Sequence, residues 1–249
     1  MVRHGEVINP VSSALMRKYI DFFVVPSCSI HSIATMNNQG GDRAVFYGAL
    51  DVPLSPLGEM EAIEAASYLS RFHLQHVASS PLSRARFGAR QVLERQSLPG
   101  DERKGSTDSA DVVVLGGLRE LDRGSWCGLT KEEIGPDMLA RFDACDESVT
   151  PGDGGESYPA LKSRVIDARD ELLRMTEAGG ASAIVSHLQV TRAMLSEALG
   201  MDATQMSTLK IATASISCVD YCSVTGKEVV RFQSFKPECG LEGSKDGAN

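Results

Sequence analysis

Apolar positions along this chain alternate between a helical period and short continuous runs. In SPLGEMEAIEAASYLSRF (residues 55–72), Leu57, Met60, Ile63, Ala66 and Leu69 recur at near-helical spacing behind a Ser-Pro start, which predicts a capped amphipathic helix. HVASS (76–80) predicts a short strand ending in a polar loop, and SPLSRARFGARQVLERQ predicts a second helix that starts near Leu82. SLPGDERKGSTDSAD (97–111) has the polar, glycine-containing character of a surface loop and precedes a strand at 112–115. ESYPALKSRVIDARDELLRMTEAGG predicts a long helix closed by Gly179 and Gly180. ASAIVSH (181–187) is an apolar strand that stops at Ser186-His187, QVTRAMLSEALG is the helix after it, and strands at 215–221 and 228–232 flank the turn VTGK. Strands interleaved with helices predict an α/β three-layer sandwich, a largely parallel sheet with helices on both faces. No repeat or linker divides the chain, so residues 1–239 are expected to form one domain, and the small, polar tail at 240–249 is expected to be disordered.

Composition narrows the partners. With 249 residues, 42% of them apolar, the chain is long enough for one soluble domain with a substantial core, and its net charge of -8 argues against a nucleic-acid partner held by bulk basicity. No apolar run approaches the about 20 residues of a membrane helix. The nearest, residues 19–25, is interrupted by Asp21, so no membrane partner is expected. Cys28, Cys127, Cys145, Cys218, Cys222 and Cys239 show neither a repeated spacing nor a matching histidine set. They read as reduced thiols of an intracellular, cytoplasmic protein and not as a zinc site, and no cofactor is expected. The sequence does not set the oligomeric state.

Active sites of parallel sheets gather at the carboxyl ends of the strands. Three predicted ends coincide with Arg3-His4, Ser79-Ser80 and Ser186-His187; the second leads through SSPLSRA to Arg84, and Glu120 follows the strand at 112–115. Two arginines, two histidines and one acid suit a phosphoryl group. The planar guanidinium donates two parallel hydrogen bonds and stays charged, histidine attacks phosphorus or steadies its charge, and a single carboxyl moves the proton.

The segments VRHGE, YGALDVPLSPLGEMEA, SSPLSRARFGA, LRELDRGSWCGLT, GGESYPALKSRV and IVSHLQVTRAML occur in an order and at a spacing that resemble the histidine phosphatase superfamily, in its phosphoglycerate mutase branch. The resemblance implies that His4 is the phosphate-accepting nucleophile, that Arg3, Arg84 and His187 complete the phosphate pocket, and that Glu120 is the proton donor, with Asp122 its nearest competitor. Gly5 lets the backbone approach the phosphate, and Asn9 adds a neutral donor. The implied activity is metal-independent hydrolysis of a small phosphorylated metabolite. The alternatives are a phosphoglycerate mutase and a catalytically silent phosphate-binding or interaction protein. Trp126 is expected to pack under the site, while Glu156 and Ser157 are placed to cap a helix or to touch substrate.

Two features depart from the family pattern. Leu188 and Gln189 follow His187 where the family commonly has glycine, so a side chain at 188 is expected to narrow the pocket or alter its backbone. Only Met1 and Val2 precede Arg3, where the family has a full apolar strand; the start reads as an internal methionine, which leaves organelle targeting open. The stretch 11–39 interrupts the resemblance. Its first two residues can be encoded by a GTAAGT or GTGAGT splice donor and its last by CAG, so it reads as an insertion: a retained intron, or else a functional lid. On the first reading its removal leaves turnover intact or improved.

Overall fold

The computed structural model describes residues 17–24 as backbone, and residues 45–96, 111–152, 154–222 and 224–237 in full. Six strands form one sheet: β1 (Arg17–Val24), β2 (Leu74–Ser79), β3 (Val113–Val114), β4 (Ala181–Val185), β5 (Ile216–Cys222) and β6 (Glu228–Phe235), in the spatial order β3-β2-β4-β1-β5-β6. The first four are mutually parallel, whereas β5 runs antiparallel to β1 and to β6. The parallel strands end level with one another: Val185 is opposite Val24 on one side and Ser79 on the other, and Ser79 is opposite Val114. This common carboxyl edge is where the functional side chains are mounted.

Helices cover both faces. On one face, α1 (Pro56–Leu69) and α2 (Ser83–Gln96) pack on Val77, Ala183, Val185 and Ile216; on the other, α5 (Tyr158–Met175) and α6 (Leu188–Ala198) pack on Ala78, Ile184 and Val219. The alternation of Ala183, Ile184 and Val185 between the two cores follows from the two-residue period of a strand. β4, β2 and β5 are buried almost throughout, as expected for strands covered on both sides, and β6 alternates half-buried and exposed residues as the edge strand. Two short helices, α3 (Lys131–Ile134) and α4 (Pro136–Asp143), which the apolar pattern does not announce, follow β3. No helix of the described residues is long and apolar enough to cross a membrane.

The observed elements match the expected helices and strands within a few residues, with one correction. α1 is capped as expected, the Ser55 hydroxyl accepting from the Gly58 amide at 3.1 Å with Pro56 behind it, but its buried stripe is Gly58, Ala62, Ala65, Ala66 and Leu69. Leu57 and Met60 face solvent. Small residues win the interface because α1 and α2 approach closely, and α2 presents the equally small Ala85, Gly88 and Ala89. One strand falls within the stretch 11–39, which the sequence reading set apart as an insertion. Arg17–Val24 is the central strand, with β4 on one side and β5 on the other. It pairs in parallel with β4 and antiparallel with β5. The expected loop at 97–111 falls outside the described residues except for Asp111, and the tail at 240–249 lies outside them altogether.

Candidate active site

Arg84, Glu120 and His187 come together at the carboxyl edge of the sheet. His187 follows β4 and stands at the N-cap of α6, 4% exposed, with its Nε2 2.7 Å from the Ser80 hydroxyl at the end of β2. The two strand ends are tied directly, since the Ser80 amide donates to the Val185 carbonyl at 3.1 Å. Burial, and then the positive charges of Arg84 and Arg164, hold the His187 pKa well below the usual imidazole range. The ring is therefore neutral at neutral pH until an anion arrives.

Arg84 lies in the first turn of α2, whose start is fixed by Asp51: its Oδ1 accepts from both the amide and the hydroxyl of Ser83 at 2.7 Å. The Arg84 guanidinium is buried and donates to the carbonyls of Leu50 and Gly48 at 2.7 and 3.1 Å. Two of its five donors thus anchor the loop before α1 and fix the plane of the fork. That loop is clamped from the other side. Arg123 stacks on Phe46 at 4.7 Å and on Phe142 at 5.3 Å, and Gly48, at φ +51°, lies so close to Leu121 that an added Cβ would fall 2.7 Å from its carbonyl oxygen.

Glu120 sits between the fully buried Leu118 and Leu121, which pin its loop to the core. Its carboxylate accepts from the Leu121 amide at 2.7 Å and from the Gln189 amide, in the first turn of α6, at 3.4 Å. Burial raises its pKa and outweighs the lowering by those two amides and by the charges of Arg84 and Arg123. A carboxyl that keeps its proton above the ordinary range beside a cationic, amide-rich pocket is an acid poised to donate.

Of the residues expected from sequence, these three meet, while His4, Arg3 and Asn9 lie outside the described residues. Trp126 packs in the core against Phe142, with ring centroids 5.3 Å apart. Ser157 caps α5 through the Ala160 amide at 3.4 Å, and Glu156 pairs with Arg164. The Leu188 side chain, partly buried, packs against the core that α5 and α6 share. Ser80, Arg123, Arg164 and the Gln189 amide were not anticipated. Ser80 was visible as the last residue of a predicted strand; the backbone role of Gln189 leaves no side-chain signal.

The family model for the histidine phosphatase superfamily (branch 1) matches residues 1–233. Phosphoserine phosphatase 1 of Hydrogenobacter thermophilus is 29% identical over 177 residues, 70% of this chain and 77% of that protein. A probable phosphoglycerate mutase of an Enterobacter species is 28% identical over 179 residues, again 70% of this chain and 76% of the relative. Mycobacterial relatives 32% identical over 172 residues are longer proteins, of which the chain spans 43%. Among solved structures, a mycobacterial glucosyl-3-phosphoglycerate phosphatase superposes with a TM-score of 0.69 at 21% identity, covering 88% of this chain and 99% of that one, a likeness of fold. With a parallel sheet whose carboxyl edge gathers an arginine, a histidine and a raised-pKa acid, and a family model that spans nearly its whole length, the chain belongs to the histidine phosphatase superfamily.

Proposed function

We propose that the protein is a metal-independent phosphomonoesterase that hydrolyses a small phosphorylated metabolite through a phosphohistidine on His4. The observation that carries this reading is the meeting of Arg84, Glu120 and His187, distant in sequence, around one edge of the sheet, with the acid's pKa raised. The neutral His4 ring attacks phosphorus in line, its N–P bond forming as the ester P–O bond breaks. Arg3, Arg84 and His187 meet the charge on the three equatorial oxygens, and Asn9 adds a neutral donor. Glu120 gives its proton to the departing alkoxide. It then takes one from the water that attacks the phosphohistidine, returning free His4 and inorganic phosphate.

Hydrolysis is favoured over mutase chemistry because the chain after LRELDRGSWCGLT passes directly through the short α3 and α4 to α5, with no long covering insertion. The name of the Hydrogenobacter relative agrees with a phosphatase. The test is turnover of p-nitrophenyl phosphate in excess chelator, with 3- to 2-phosphoglycerate exchange measured in parallel. Phosphate release without exchange supports the reading. Exchange faster than release would make the protein a mutase, and neither would make it a binding protein.

A further inference from the structure

The loop that carries Glu120 is held from behind by one ion pair. Arg164, on α5, meets Glu156 as a bidentate fork, Nε to Oε1 and Nη2 to Oε2, both at 2.6 Å. The same guanidinium donates through Nη1 to the carbonyls of Gly117 and Arg119 at 2.7 Å each, and through Nη2 to the carbonyl of Glu120 itself at 3.3 Å. Glu156 continues the grip past the acid: its backbone amide donates to the Asp122 carbonyl at 2.9 Å, and its Oε2 lies 3.5 Å from the Asp122 amide. Backbone on both sides of Glu120 is thereby tied to α5. The loop also lies directly on the helix, since a Cβ at Gly117 would fall 2.6 Å from the Arg164 carbonyl oxygen and 2.8 Å from the Ala168 Cβ. Arg164 and Glu156 are 27% and 16% exposed, and the fork satisfies several loop carbonyls that regular secondary structure does not.

We propose that Arg164, oriented by Glu156, is the positioning residue for the Glu120 carboxyl. It holds the loop so that the acid reaches the leaving oxygen, without itself touching substrate. This rests on the reading of Glu120 as the proton donor. Arg164 fixes the main chain of residue 120, and the Glu120 side chain then spans to the Gln189 amide on the far side of the loop. A lysine at 164 keeps the charge but cannot hold Glu156 bidentately and the loop carbonyls together.

The experiment compares an alkyl ester, glycerol 2-phosphate, with p-nitrophenyl phosphate, whose phenolate leaves with little need of a proton. Arg164→Lys is expected to lower kcat on the alkyl ester by up to about 100-fold, the scale of a small misplacement of a catalytic group, to slow the aryl ester far less, and to leave KM nearly unchanged. In a Glu120→Gln background the same substitution should add little, because the group it positions is gone. Glu156→Gln, which preserves volume, should repeat the pattern more weakly and serves if Arg164→Lys fails to fold. Equal losses on both esters, or losses that multiply with Glu120→Gln, would overturn the positioning role. If Glu120→Gln alone failed to separate the two esters, Glu120 would not be the donor, and the positioning role would fall with it.

Discussion

Burial shifts Glu120 and His187 in opposite directions, and each shift has a consequence for stability. The folded pKa of Glu120 lies above its ordinary 4.5, so the unfolded chain loses this proton more readily, and the residue costs stability as pH rises above that value. Glu120→Gln should therefore raise Tm at pH 7 while slowing release of poor leaving groups, and the gain in Tm should vanish below about pH 4.5. A lower Tm at pH 7 would mean that the carboxylate is stabilised by contacts stronger than its burial. His187 runs the other way: its folded pKa is depressed, so the unfolded chain binds the proton first and stability falls as pH drops below 6.5. Arg84→Lys loses the fork that grips Gly48 and Leu50 and that the proposed function aims at the phosphoryl group, and kcat/KM should fall about 10- to 100-fold, the worth of one charge-assisted hydrogen bond. A variant equal to the parent would take Arg84 out of the pocket. These three residues were legible because each follows or ends a recognisable strand. Arg164 was not, because nothing in the spacing of its helix singles it out, and a guanidinium that grips carbonyls leaves no mark in a sequence.

The helices and strands around the site were legible from period and caps alone: Ser55-Pro56 opens α1, and the unbroken apolar run at 181–185 announces a buried strand. What periodicity did not settle is which of several apolar stripes a helix buries. α1 carries both Leu57-Met60 and Ala62-Ala65-Ala66, and only the close approach of α2 chooses the smaller set. β1 is the more consequential case. Its apolar run was visible, but the stretch 11–39 interrupts the resemblance and has ends that splice-site codons can encode, so the run was read as part of an insertion. The sheet instead draws Arg17–Val24 between β4 and β5. Deleting residues 11–39 should thus abolish soluble yield, and Tyr19→Pro should lower Tm by removing a ladder hydrogen bond at the centre of the sheet. Thermal melts and soluble yield measure both. A soluble, active protein after the deletion would support the reading of the stretch as dispensable.

The described part of the site is assembled from segments between Gly48 and Gln189 that touch only once the sheet is complete, so its geometry reports on the whole fold. An acidic chain of net charge -8 concentrates buried positive charge, Arg84 and Arg123, beside an acid whose pKa burial raises, an arrangement suited to a small anion and not to a polyanionic surface. The most direct measurement is to trap the phosphoenzyme: brief incubation with p-nitrophenyl phosphate, an alkaline quench, and peptide mapping by mass spectrometry. The predicted result is a phosphoryl group on His4, and its absence in His4→Ala, which should retain less than roughly a tenth of parent activity, a generous ceiling for an enzyme without its covalent nucleophile. Full turnover with the phosphoryl group on another side chain or on none, or a His4→Ala variant above that ceiling, would contradict the account.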